Sequence, residues 1–280
     1  FAAWPMVYAV SFSGFYLAMF AILVALIIRP VAFKFRSKRE DPQWRARWDW
    51  ALFVGGFVPA LIFGVAMGNV LRGVPFRIEP DMQIFYDGSF FGLLNPYALL
   101  AGLVSVAMLV MHGATWLQLK TSDAVADRSR RYGMIAAVAT VALYALAGML
   151  LTSMVPGYAI TSEIDPTGPS NPLLKEAAVT AGAWFNNYTA YPTLYVVPAI
   201  GLIGPLLAAL LQAARWPLLA LLTSGTSIAA IIASVGVSMF KPSDVVHHAG
   251  FHPHLHAHHS CLHQLGLLGA ARQGRCRCHS

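Results

Sequence analysis

Residues 50–71, WALFVGGFVPALIFGVAMGNVL, run for 22 positions without an Asp, Glu, Lys or Arg. About 20 apolar residues in helical form cross a hydrocarbon core about 30 Å thick. A helix also closes its own backbone hydrogen bonds, as lipid requires. Working outward from this stretch, five more runs have the same character: 1–28, 96–119, 134–155, 194–211 and 218–240. Each is too long and too uniformly apolar for a soluble core helix, which would carry a polar face. The sequence therefore predicts an all-α, polytopic transmembrane helix bundle with six membrane spans, forming one helical domain over residues 1–242.

Composition agrees with this reading. Hydrophobic residues make up 57% of the 280, and charged residues 11%, against about 25% in ordinary globular chains. So few charges cannot build a water-facing surface for a chain of this length. The net charge of +7 does not point to nucleic acid either, because the bases are not gathered on one module. They are distributed by connector. The first, 29–49, has seven bases (Arg29, Lys34, Arg36, Lys38, Arg39, Arg45, Arg47) against three acids. The second, 72–95, has two bases and three acids, the third, 120–131, has four against two, and the fourth, 156–193, has one against three. The fifth contains only Arg215. Base-rich connectors alternate with base-poor ones, and the positive-inside rule places the base-rich ones on the cytoplasmic side.

No ionisable Asp, Glu, Lys or Arg falls inside the six runs, so none of their residues reads as catalytic or as a metal ligand. Ion-coupled transport usually places such a residue in the membrane. The one histidine in the spans is His112, toward the cytoplasmic end of the third. A haem held by two histidines needs a second, and none lies outside the tail. His112 reads first as a hydrogen-bonded packing or capping residue, and it is kept as a candidate for a proton path or a subunit contact.

The polar span ends carry the remaining candidates. Arg29 closes the first run and Asp49 opens the second, so an ion pair between adjacent helix ends is expected. A carboxylate near a helix N-terminus also meets a favourable dipole. Trp44, Trp48 and Trp50 fit an interfacial aromatic belt, and Trp48 is a candidate interface residue. Gly64 and Gly68 have the spacing that brings two membrane helices close; Gly55-Gly56 and Gly201 with Gly204 are similar. Asn69 and Arg72 lie at the outer end of the second run, where Gly73 and Pro75 read as a turn. Ser170-Asn171-Pro172 offers a cap and a first-turn proline for a short surface helix over 173–184, with an ordered loop as the equal alternative.

Nine of the ten histidines and all three cysteines lie in the last 34 residues. One reading of 243–280 is a metal-binding tail (His247, His248, His252, His254, His256, His258, His259, His263, with Cys261, Cys276 and Cys278). The other is a shifted reading frame, in which Thr- and Ser-rich codons are read as alternating His, Pro, Leu and Ala, or a disordered end. Sequencing the gene across the codon for Lys241 separates the two. A disulfide framework would leave one of three cysteines unpaired.

Several blocks together resemble a known family: FAAWPMVY (1–8), SGFY (13–16), Arg29-Pro30-Val31, Arg36-Ser37-Lys38, Trp48-Asp49-Trp50, GNVLRGVPF (68–76), Leu94-Asn95-Pro96, His112-Gly113-Ala114-Thr115, SNPL (170–173) and Gly182-Ala183-Trp184. In this order they resemble subunit II of the cytochrome bd-type quinol oxidases. The resemblance implies a fold of roughly eight helices, of which this chain would hold the middle six, lacking the first and last. It implies a role as the non-haem subunit, scaffolding a haem-bearing subunit I in a heterodimer. That complex would sit in the bacterial inner membrane, oxidise quinol and reduce dioxygen to water. Haem b and haem d would then belong to the partner, this chain alone would bind no cofactor, and quinone is a further candidate ligand. The resemblance also implies some contribution to proton access, with Arg29 and Asp49 at matching polar positions. Lys34 stands where several members have an acid, which departs from that route. The rival readings are a multi-pass permease and a membrane protein acting through a metal-binding tail.

Overall fold

The computed structural model describes residues 5–79, 83–160, 177–180 and 182–239. The His- and Cys-rich tail and the Ser170-Asn171-Pro172 cap lie outside these residues. Eight helices are described: α1 (Pro5–Gly14), α2 (Tyr16–Arg36), α3 (Pro42–Arg72), α4 (Pro96–Lys120), α5 (Asp123–Met154), α6 (Asn186–Ala190), α7 (Val196–Ala213) and α8 (Pro217–Met239). Six elements are long and apolar enough to cross a membrane: α2, α3, α4, α5, α7 with the turn before it, and α8.

The span limits differ from those of the uncharged runs. The first run divides into α1 and α2, and the spanning helix α2 continues past Ile28, carrying Arg29, Pro30, Lys34 and Arg36 within its last turns. The second begins before Trp50: Asp41 caps α3 by accepting from the Gln43 amide at 3.1 Å, and Pro42 follows at the first position, as helix starts favour. At 31 residues, α3 is about 46 Å long at 1.5 Å per residue, well beyond the hydrocarbon core. Its first turns therefore stand at headgroup level, where long basic side chains reach water. The same holds for α5, which starts at Asp123 and runs for 32 residues. Charge marks where lipid ends; it does not mark where the helix ends.

Helix α4 is the centre of the bundle, packing on α3, α5 and α8, while α7 joins α5 to α8 and α2 packs on α3. Half of its most apolar window is buried, against 11% for α2. The contacts are made by residues with almost no side chain. A Cβ placed on Gly64 would lie 2.5 Å from the Ala101 carbonyl oxygen and 2.6 Å from the Gly102 Cα, and one on Gly68 would lie 2.7 Å from the Ala98 Cα. On the other side of the bundle, a Cβ on Gly204 would come within 2.7 Å of the Ser227 Cβ. Gly56 faces open space. Lipid tails are as apolar as leucine, so close backbone approach of this kind is what holds membrane helices together.

The outer ends are tied by two asparagines. Buried Asn69 donates to the carbonyls of Val65 (2.9 Å) and Leu93 (2.7 Å), and accepts from Asn95 Nδ2 at 2.9 Å. Asn95 Oδ1 in turn accepts from the Ala98 amide and caps α4. Beyond these ends lie two small antiparallel hairpins, β1 (Phe76–Ile78) with β2 (Ile84–Tyr86), and β3 (Gly157–Ile160) with β4 (Ala177–Thr180). Among its described residues, the stretch 173–184 differs from the surface helix expected there: 177–180 form a strand, and helical structure begins at 183, as one 3₁₀ turn followed by α6. A lone helix of that length is poorly nucleated in water, whereas pairing with 157–160 satisfies the backbone at once.

Gly64→Leu is expected to destabilise the protein by about 3 kcal/mol, the upper part of the overpacking range, because backbone rather than flexible side chain stands in its way. Gly56→Ala should be neutral or slightly stabilising. Thermal unfolding of the detergent-extracted protein, followed by tryptophan fluorescence, compares the two. Asn69→Ala leaves the Leu93 carbonyl and Asn95 without their partner and should cost about 1–3 kcal/mol in the same assay.

Candidate functional site

The base-rich end of the α2–α3 hairpin gathers the polar residues singled out by sequence, but with a different pairing. Asp49 binds Arg36, not Arg29: Arg36 Nε and Nη2 both donate to its carboxylate, the second at 3.1 Å. The reason is register. In an antiparallel helix pair, each step back along α2 is matched by a step forward along α3, so Arg36 lies level with Asp49. Arg29, seven residues earlier, is about 10 Å further toward the membrane interior. There its side-chain stem lies along Gly55, whose missing Cβ leaves room for it and for the Ala25 carbonyl. Among the described residues Arg29 makes no ion pair.

Next to the pair, aromatic side chains join the same two helix ends. The Trp44 indole donates to the Phe35 carbonyl at 2.9 Å, Trp48 stacks on Phe35 at 5.6 Å, and Trp44 meets Trp48 edge-on at 5.7 Å. Lys38 lies over the Phe35 ring and Arg39 over Trp44, each 4.9 Å from the centroid, a cation–π arrangement suited to an interface. Both side chains of the ion pair remain about half exposed. The bidentate guanidinium locks this water-accessible carboxylate in orientation.

His112 lies deeper, between α4 and α8. Its Nδ1 is 2.9 Å from the Ser224 hydroxyl, which is 3.4 Å from the hydroxyl of Thr115. Its ring packs at Gly225. Haem ligation needs an axial side chain aimed at an iron, and among the described residues no second histidine faces this one. Here the ring is built into the contact between α4 and α8, with its Nδ1 taken up by the Ser224 hydroxyl.

At the outer end, Gly73 follows α3 with φ of +83° and its amide returns to the Asn69 carbonyl at 2.8 Å. Arg72 has no hydrogen bond or ion pair among the described residues. Arg77 is the base that is engaged there, 3.6 Å from Glu79 and 3.7 Å from Asp87. Further polar links escaped the sequence reading: Tyr144 donates to Ser234 at 2.7 Å, and Tyr188 donates to the Ser234 carbonyl at 3.0 Å. Burial raises the Tyr188 phenol above the ordinary range, so it remains a neutral donor. A stripe of serines on α8 was the available signal, but serine is common in membrane helices and its partners lie on distant segments.

Comparison with known proteins accounts for this arrangement. The family model described as cytochrome bd terminal oxidase subunit II matches residues 1–262. The chain is similar to a probable cytochrome oxidase subunit 2 of Haemophilus influenzae, 50% identical over 240 residues, covering 86% of this chain and 63% of the relative. It is also similar to the cytochrome bd-I ubiquinol oxidase subunit 2 of Escherichia coli K12, 46% identical over 243 residues with the same shares. The chain thus spans 63% of the length of these curated relatives. Among solved structures, the bd oxidase from Geobacillus thermodenitrificans has the same fold, with a TM-score of 0.53 at 11% identity over 84% of this chain and 68% of that one. The chain belongs to the cytochrome bd terminal oxidase subunit II family.

Proposed function

We propose that this protein serves as the non-haem subunit of a bacterial inner-membrane quinol oxidase, bound as a heterodimer to a larger subunit that carries haem b and haem d. The complex oxidises quinol and passes the electrons to dioxygen, which is reduced to water. The observation that carries this reading is the family match over residues 1–262, and the name of the E. coli relative supplies the quinol. It is supported by the setting of His112, which is tied to Ser224 within the helix packing. In this reading the chain scaffolds its partner and helps protons reach it. Asp49, exposed at the cytoplasmic end, is the proton-accepting group, Arg36 fixes it, and Arg29 continues the polar edge inward. The permease reading calls for a matched pair of broken helices, and among the described residues the prolines inside α2, α3 and α7 lie in unbroken helices. The tail from 243 to 280 is assigned no part in the activity.

Expressed with the gene for a haem-bearing oxidase subunit, the chain should copurify with it at equal stoichiometry, and the complex should show b- and d-type haem spectra. Purified alone, it should be haem-free; stoichiometric haem on this chain alone would refute the proposal. Asp49→Asn should lower oxidase turnover about a hundredfold, the lower end of what a positioned proton-transfer group contributes, while haem content and copurification persist. Asp49→Glu should recover most of the rate. If both variants lose haem in step with activity, Asp49 is structural only.

A further inference from the structure

The junction of α4, α5 and α7 holds a polar group that the packing leaves without a partner. Gln212, near the inner end of α7, is fully buried, yet neither its Oε1 nor its Nε2 has a hydrogen-bond partner. Its carboxamide lies over Gly133 of α5, where any Cβ would collide with Oε1, and beside Ala114 of α4, whose Cβ is 3.0 Å from that same point. Gln118 of α4 comes to the same place. Its Nε2 donates to the Gln212 backbone carbonyl at 3.2 Å, and its own Oε1 is buried and unpaired. Two carboxamides thus bring one donor group and two acceptors to one small space. Buried polar atoms are almost always paired with protein or ordered water, and an orphan is costly.

The chemistry of the site selects its occupant. Something there must both donate and accept, carry no charge and fit among Ala114, Gly133 and the backbone of α7. On the side toward the membrane centre the junction is sealed by an apolar layer of Met111, Ala137 and Ala208, each one turn from Ala114 or Thr115, Gly133 and Gln212 respectively. On the other side Gln212 is three residues from Arg215, in the α7–α8 turn on the base-rich face. We infer that Gln212 and Gln118 form a binding site for ordered water, enclosed within the junction of α4, α5 and α7 and closed toward the membrane centre. Such water ties three helices together where lipid supplies no hydrophobic drive between them, as buried waters bridging polar groups do elsewhere. Thr115, one turn outward of Gln118 on the same face of α4, places the site next to the Thr115–Ser224–His112 cluster.

The test is density at water-resolving resolution for the protein extracted from its membrane with the subunits that copurify. Peaks within hydrogen-bond distance of both carboxamides are expected. Carboxamides bonded directly to each other, with no peak between, would overturn the inference. Gln212→Met keeps the volume and removes the polar atoms: it should abolish the peaks and lower the unfolding midpoint by a few degrees. A midpoint raised by that change would mean the carboxamide was an unrelieved orphan in a dry site, which also overturns it. Should that variant fail to accumulate, Gln118→Met is read in the same way.

Discussion

The close approach of α3 and α4 at Gly64 and Gly68 is the contact on which the rest of the bundle is built. A membrane helix gains nothing by hiding leucine from lipid, so association depends on dispersion between closely fitted surfaces and on a few hydrogen bonds. Gly64 meets backbone atoms of α4 directly, which places the two axes closer than any larger side chain would permit. Asn69 follows Gly68 immediately and joins the Leu93 carbonyl and Asn95, so the same interface that packs tightly in the middle is locked at its outer end. With α4 fixed against α3, its remaining faces receive α5 and α8.

The inner end of the molecule follows from helix length. Because α2 and α3 both overrun the hydrocarbon, their charged turns face each other across a short connector, and a bidentate ion pair forms next to aromatic side chains rather than within lipid. Charges at this depth remain hydrated and cost little, while the tryptophans and phenylalanine join the same two helix ends. Arg29, two turns deeper, keeps its stem against Gly55. The proposed division of labour, in which this chain supplies scaffold and inner-side polar groups while a partner supplies the haems, is in keeping with a bundle whose only described histidine is absorbed into helix packing.

Inside the bundle, polar side chains act as ties between helices. Tyr144 and Tyr188 converge on Ser234, His112 on Ser224, and Gln118 on the α7 backbone. Each link joins segments separated by dozens of residues, and each sits where a neighbouring glycine, alanine or serine lets a polar atom reach its partner.

The number of spans and the family were legible from the residues alone, because uncharged length is set by the bilayer and an ordered series of local blocks needs no knowledge of spatial neighbours. The sequence also located the Gly64–Gly68 spacing and the polar ends around Asp49 and Asn69. That Arg36 and not Arg29 meets Asp49, that 177–180 pairs as a strand, and that Gln212 is buried over Gly133 emerged only from the packed helices. These depend on which residue of one element stands level with which residue of another, a register fixed by packing between distant segments and invisible to any local pattern.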